Sequence, residues 1–241
     1  MAGHSQFKNI MHRKGAQDAK RAKIFTKVLR EVSVAVKEAG AEPEHNPRLR
    51  AAIATAKAAN LPKDRIIAAV EKASNPASAD NFEEMRYEGY SPGGAAIIVE
   101  ALTDNRNRTA AEVRAAFTKF GGRLGETGSV SFMFRRVGVL LYSKAAGLED
   151  QFFEATIESG ASDCHSNDDG HEIICEPGAF HEVRDFFEKK FGEALSSALT
   201  WKPNSLHKIG SEDALKLEKM MDALEDCDDV QNVIGNFEIA S

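Results

Sequence analysis

The sequence lacks the features that mark disulfide-stabilised proteins and membrane proteins. Its 241 residues include three cysteines, an odd number without a framework spacing, which is typical of free thiols in a reducing compartment. No apolar run approaches the roughly 20 residues that a membrane-spanning helix needs. The opening MAGHSQFKNIMHRK contains no apolar signal-peptide core. We therefore expect a cytoplasmic protein that does not interact with membranes.

Motifs for cofactors are also scarce. No GK[ST] triplet occurs, and the glycines of residues 121–128 follow a predicted helix, the reverse of the order in phosphate-binding loops. One group could be drawn as a zinc site: Cys164, His165, His171 and Cys175. A predicted hairpin places Cys164 opposite Cys175 in neighbouring strands, and their spacing matches no CxxC knuckle. Packed thiols are the favoured interpretation, and we expect no metal and no other cofactor.

No residue pattern points to catalysis. A hydrolase needs a nucleophile beside a base, or paired carboxylates in a cleft. Four acids lie near the C-terminus, namely Glu225, Asp226, Asp228 and Asp229. We interpret them as solvated negative surface. We predict a protein that is not an enzyme and has no small-molecule substrate, with catalysis by residues that folding brings together as the remote alternative.

Charge is unevenly distributed along the chain. The formal net charge is -6, but residues 1–75 carry fifteen Lys and Arg against seven acids, and the remainder is correspondingly acidic. Residues 4–30 hold eight of these cations and one acid, Asp18. Such a block repels itself unless a polyanion or a scaffold compensates it, so it predicts a phosphate-contacting face. The alternative is an ordinary solvated helix face.

Periodicity predicts an α+β multidomain protein. Apolar residues at three- and four-residue steps predict a helix over 17–40, and Asn46-Pro47 and Leu61-Pro62 open two more. These make a basic all-α domain, 1–75. From residue 136 the predicted order is βαββαβ, the ferredoxin-like unit. We predict that this unit, 136–204, is inserted into a discontinuous α+β domain, 80–135 and 205–241.

A second basic motif joins a predicted buried strand to a predicted helix that opens with a Thr109–Glu112 capping box. It places Arg106 and Arg108 beside a helix N-terminus, where anions are favoured. The alternative, equally weighted, is a turn whose arginines pair with local acids such as Asp104.

Long motifs run from one end of the chain to the other: MAGHSQFKNIMHRKGAQDAKRAKIFTK, NPRLRAAI, KAANLPKD, YEGYSPGGAAIIVEALTDNRNRT and GETGSVSFMF. On these motifs the chain resembles the YebC family, whose mitochondrial relatives are translational activators of cytochrome oxidase. The resemblance implies three domains, one all-α and two α+β. It also implies a regulatory role, since members are described as DNA-binding transcriptional regulators and as ribosome-associated factors that help elongation through proline-rich stretches.

Together these observations predict a non-enzymatic regulator of gene expression, expected to be monomeric, that binds ribosomal RNA as a translation factor. A DNA-binding transcriptional regulator is the alternative. Phosphate contacts are predicted for Lys8, Arg13, Lys14, Lys20, Arg21, Lys23 and Lys27, with Arg106 and Arg108 as further candidates. Stacking on bases, or hydrogen bonding to them, is predicted for His4, Phe7 and His12.

Overall fold

The computed structural model describes residues 18–75, 77 and 81–240, with only the backbone for 18–21. Seven α-helices and ten strands lie in these residues, which confirms the α+β multidomain class. The described residues form two compact units, one of 135–202 and one of the rest. No helix within the described ranges combines the length and the apolarity that a membrane crossing requires.

Three helices open the first unit: α1 (Asp18–Ala39), α2 (Pro47–Ala58) and α3 (Lys63–Ser74). The buried Asn46 side chain caps α2 by accepting a hydrogen bond from Leu49 N at 3.0 Å. Its amide nitrogen donates to Ala35 O at 2.6 Å and to Gly40 O at 2.7 Å. One side chain therefore fixes both the end of α1 and the start of α2.

The first unit also contains a four-stranded antiparallel sheet, whose strands are β1 (Glu83–Tyr90), β2 (Ala96–Thr103), β3 (Arg123–Leu124) and β9 (Val230–Gly235). The strands of this sheet lie in the order β3-β1-β2-β9. Helices α4 (Arg106–Lys119) and α7 (Ser211–Glu225) share its buried core through Ile97, Val113, Phe117, Met220 and Leu224. A short parallel pair, β8 (His207–Ile209) and β10 (Phe237–Ile239), completes the unit.

The second unit has the predicted ferredoxin-like order. Its elements are β4 (Phe134–Ser143), α5 (Glu149–Ser159), β5 (Asp163–Ser166), β6 (Gly170–Cys175), α6 (Phe180–Phe191) and β7 (Ser196–Pro203). The sheet runs β5-β6-β4-β7, so that the first and third strands are central. Its core stacks aromatic rings, with Phe152 4.0 Å from both His171 and Phe191 between ring centroids.

Local details differ from the predictions in three places. The sequence of residues 129–134 also predicts a strand, but a 3-10 turn occupies Ser131–Met133 and the strand begins at Phe134. Helix α4 begins at Arg106 under an Asn105 cap, so the predicted Thr109 capping box is wrong. Cys164 faces Ile173, not Cys175, because the hairpin register is offset. The boundary between domains 1–75 and 80–135 stays a prediction, since the described residues place both segments in one unit.

Candidate nucleic-acid interface

The predicted site residues divide into three groups. Six lie outside the described residues: His4, Phe7, Lys8, His12, Arg13 and Lys14. Lys20 and Arg21 lie on α1, where the backbone alone is described. The side chains of Lys23, Lys27, Arg106 and Arg108 are described, and each has an acidic or carbonyl partner.

Lys23 and Lys27 lie against the end of α7. Lys23 Nζ is 2.9 Å from Asp226 Oδ1, and Lys27 Nζ donates to Glu225 O at 2.6 Å. The hydrogen bond to Asp226 raises the pKa of Lys23 above its ordinary value. These two predicted phosphate ligands thus also anchor α1 to the acidic residues that precede β9.

The third anchor on α1 is Arg30, which forms an ion pair with the buried Asp229. Its guanidinium also donates to Asp228 O at 2.7 Å and lies 5.3 Å from the centre of the Phe82 ring. The interpretation of the acids near the C-terminus as solvated negative surface includes Asp229. That interpretation is wrong for this residue, because its side chain is only 2% exposed.

Asp229 joins three elements of the first unit, which are α1, α4 and β2. Besides Arg30, it accepts hydrogen bonds from Thr109 Oγ1 at 2.6 Å and from Arg108 Nη2 at 2.7 Å. Thr103 Oγ1, at the end of β2, lies 3.2 Å away. Burial raises the pKa of Asp229, but the hydrogen bonds from Thr109, Arg108 and Arg30 outweigh it and leave the pKa below its ordinary value. Asp229 is therefore a buried, ionised carboxylate that holds these elements together.

Arg106 and Arg108 form the local pairs of the alternative interpretation. Arg108 contacts Asp104 at 2.8 Å as well as Asp229, and Arg106 forms an ion pair with Glu83. The hydrogen bonds to Asp229 and then Asp104 raise the pKa of Arg108. Both arginines remain partly exposed, at 65% and 42%. Their positive charge is already compensated in this fold.

Arg48 makes a second tie between the helices and the first sheet. Its guanidinium lies 2.7 Å from Glu31, 2.8 Å from Glu38 and 2.6 Å from Glu84 at the start of β1. Burial lowers its pKa, but the hydrogen bond to Glu31 and the neighbouring acids outweigh that effect and raise it. Arg48 is one of the fifteen cations of residues 1–75, and its charge is thus also neutralised.

Within the part of the chain that the structure describes, a groove between α1 and α3 is lined by cations and by no acid. This open groove has a volume of about 460 Å³ and is lined by Thr26, Leu29, Arg30, Ser33, Arg65, Ala68, Ala69, Lys72 and Phe82. These described residues include three cations and no acid, although one of the cations, Arg30, is paired with Asp229 outside the groove lining. Arg65 and Lys72 share a face because seven residues make two helical turns. Small side chains, Ala68 and Ala69, lie between them and keep the groove open.

Exposed cations continue from this groove toward the end of α2. Lys57, Lys63 and Arg65 are exposed, and none forms an ion pair with another residue of the described ranges. Sequence reasoning did not select them, because they are spaced among apolar residues rather than clustered. Their six-residue and two-residue spacings were the available signal.

Two family models match the chain. One is the TACO1/YebC protein N-terminal domain, which matches residues 5–76, and the other is the TACO1/YebC second and third domain, which matches residues 82–237. The chain belongs to the TACO1/YebC family. This confirms the family predicted from the motifs, and the second model is named as a transcriptional regulatory type. The family is therefore of a regulatory kind.

A solved structure supports the fold of this family member. The crystal structure of a conserved hypothetical protein from Aquifex aeolicus is similar, with a TM-score of 0.86. The two sequences are 45% identical, and the match covers 93% of each chain. The α+β arrangement described above is thus shared with an experimentally determined structure.

Proposed function

We propose that this family member is a non-enzymatic regulator of gene expression that binds RNA of the ribosome through its basic N-terminal region. Its action would be that of a translation factor for difficult, proline-rich sequences, as the family resemblance implies. The observation that carries the proposal is the division of the cations into two sets. Lys23, Lys27 and Arg30 are paired with acids or carbonyls, whereas Lys57, Lys63 and Arg65 have no acidic partner among the described residues.

This division supports a phosphate-binding role because Lys57, Lys63 and Arg65, which have no acidic partner among the described residues, are exposed at the end of α2 and in the first turn of α3. A cation held in an internal ion pair releases few counterions when it meets a phosphate, whereas an unpaired one contributes fully to salt-sensitive affinity. We therefore assign the phosphate contacts to Arg65 and Lys63, and to the predicted Lys8, Arg13, Lys14, Lys20 and Arg21. Lys23 and Lys27 act chiefly as anchors of α1 in this proposal.

RNA is preferred to DNA for a physical reason. A sequence-specific DNA regulator presents a recognition helix whose side chains reach base edges, commonly from a dimer. The exposed charged residues of α3 are Lys63, Asp64, Arg65, Glu71 and Lys72, and this helix contains no Asn or Gln that could read bases. Folded ribosomal RNA presents phosphates in fixed positions and requires less base readout. A DNA-binding transcriptional regulator remains the second candidate, favoured by the name of the family model.

A competition titration tests the proposal. Labelled protein is bound to ribosomes and displaced with a promoter duplex or with random duplex DNA across a range of salt concentrations. We expect saturable ribosome binding, equal and weak displacement by both duplexes, and a salt slope that falls by about 0.7 to 0.9 for each phosphate contact removed in Lys63→Ala and Arg65→Ala. Lys219→Ala, which removes an exposed cation from α7, is the matched control and should leave the slope unchanged. Selective displacement by the promoter duplex would instead favour the DNA regulator.

A further inference from the structure

Helix α5 exposes apolar side chains on its outer face. Phe153 is 59% exposed and Ile157 is 70% exposed, and Leu148, which precedes the helix, is 71% exposed. Phe153 and Ile157 are four residues apart and therefore adjacent on the helix surface. Single exposed apolar residues are ordinary, but two that are adjacent on a helix surface form a small apolar patch.

The opposite face of α5 already supplies the core. Phe152 and Ala155 are fully buried, and Thr156 is nearly so. The helix is thus fixed in the second unit by residues other than Phe153 and Ile157. These two side chains do not contribute to the described core, so their apolar surface is free for another role.

Acids surround this apolar pair. Helix α5 contains four acids and no base. Glu149, Asp150 and Glu154 are exposed and form no ion pair with any residue of the described ranges, whereas Glu158 pairs with Lys190 at 2.7 Å. Asp150 and Glu154 lie three residues from Phe153 and Ile157 respectively, on the same outer side. The patch is therefore apolar at its centre and negative at its rim.

We propose that this face, which comprises Phe153, Ile157, Glu149, Asp150 and Glu154, is a docking surface for a basic, amphipathic segment of a partner protein. The negative rim attracts Lys and Arg, while the apolar pair accepts Leu or Ile from the partner. The same rim repels nucleic-acid phosphates and anionic lipid head groups. This surface shares no residue with the proposed RNA-binding region and has the opposite charge. The docking proposal therefore does not depend on the proposed RNA binding.

The test uses the full chain and a fluorescein-labelled synthetic helical peptide that carries leucines four residues apart and lysines elsewhere. Binding is measured by fluorescence anisotropy. We expect the double change Phe153→Ser with Ile157→Ser to weaken binding at least about tenfold, because two apolar contacts are lost. The triple change Glu149→Gln, Asp150→Asn and Glu154→Gln should weaken binding at low salt and flatten its salt dependence.

Helix α7 offers a matched control, since it also exposes a leucine, Leu215, beside acids. There the rim is partly neutralised, because Lys216 pairs with Glu212 at 2.8 Å. Leu215→Ser with Glu212→Gln and Glu218→Gln should leave peptide binding unchanged. An equal loss of peptide binding in this control variant would show that the peptide binds any acidic surface of the protein, and it would overturn the proposal.

Two further measurements keep the outcome unambiguous. The exposed substitutions on α5 should leave the unfolding midpoint within the range of ordinary surface changes, so a loss of binding cannot be attributed to unfolding. RNA binding by the Phe153→Ser, Ile157→Ser variant should equal that of the unaltered protein. Unchanged peptide binding by both α5 variants, or a parallel loss of RNA binding, would overturn the assignment.

Discussion

Arg30 of α1 and Asp229, which precedes β9, form an ion pair across 199 positions of sequence. The carboxylate is buried and also accepts hydrogen bonds from Thr109 and Arg108. Because one charge connects a helix of the basic segment with α4 and β2, the packing of the helices against the first sheet depends on an acid that lies near the C-terminus.

Asp229→Asn should be strongly destabilising. The change leaves Arg30 without its charge partner in a position that is only 16% exposed. Breaking a buried ion pair on one side costs about 3 to 5 kcal/mol, and we expect the lower end because Arg108 is 42% exposed. Urea unfolding followed by circular dichroism measures this loss.

The control is Asp226→Asn, which removes a carboxylate of the same segment. Asp226 is 63% exposed, and its ion pair within the described residues is the surface pair with Lys23. Exposed pairs contribute about 0 to 1 kcal/mol, so its unfolding free energy should barely change. Equal losses in the two variants would show that Asp229 has no special structural role.

His171 should make the stability of the protein depend on pH in the mildly acidic range. Its ring is buried, stacks on Phe152 and lies 2.7 Å from Ser166 Oγ and 3.1 Å from Gly147 O. Burial is the main cause that lowers its pKa below the ordinary 6.5. A lowered folded-state pKa means that stability is complete above pH 6.5 and is lost as pH falls through the folded pKa.

Thermal melts of the full chain between about pH 5 and 8 check this expectation. His171→Gln should remove the part of the pH dependence that belongs to this imidazole, at some cost in stability at neutral pH. His165→Gln is the matched control, because that imidazole is 53% exposed beside Asp163. A pH profile that is steeper in the His171 variant than in the unaltered protein would contradict the assignment.

Glu88 holds the loop that follows β3. Its carboxylate, 1% exposed, accepts hydrogen bonds from Val130 N and Ser131 N at 2.9 Å each. Burial raises the pKa of Glu88, but the backbone hydrogen bonds and the charge of Arg86 outweigh it and lower the pKa. Glu88→Gln should cost about 2 kcal/mol, because charge-assisted hydrogen bonds become neutral ones in a buried place.

Hydrogen exchange locates the effect of that change. The amides of residues 130 and 131 should lose protection more than amides of the second unit, because the carboxylate acts locally. Glu100→Gln is a control on the same sheet, where the side chain is partly exposed and its neighbour Asn232 lies 3.2 Å away. Uniform loss of protection through the chain would show that Glu88 does not act as a loop anchor.

Local patterns predicted much of the fold. The apolar period, the Asn46-Pro47 start and the order of elements in the second unit all appear in the structure, because each depends on neighbouring residues. The roles of Asp229 and Arg30 could not be predicted in this way, since their meeting depends on a pairing of β9 with β2 that spans most of the chain. The offset of Cys164 from Cys175 likewise follows from hairpin register, which the spacing alone does not determine.

The candidate site shows the same limit. Charge density selected the basic stretch of residues 4–30, but it could not distinguish cations that meet acids in the fold from those that do not. Lys23 and Arg106 look equivalent in the sequence to Arg65, yet only Arg65 has no ion pair within the described residues. Three-dimensional pairing therefore changes which cations a mutational test should target.

The second unit should fold by itself. It holds a complete ferredoxin-like sheet and its own aromatic core, in which the Tyr142 and Phe152 rings lie 5.3 Å apart. A fragment of residues 134–203 retains every strand and helix of this unit, so it should unfold cooperatively in urea with a slope near that of other small proteins, about 1 to 3 kcal/mol/M. The single tryptophan, Trp201, lies on β7 with Arg136 5.2 Å from its ring centre, and its fluorescence reports the transition.

Phe187→Ala, which opens the core of this unit, should lower the urea midpoint, whereas Leu199→Ala at a partly exposed site should not. A broad transition that does not respond to Phe187→Ala would show that the unit requires the rest of the chain to fold.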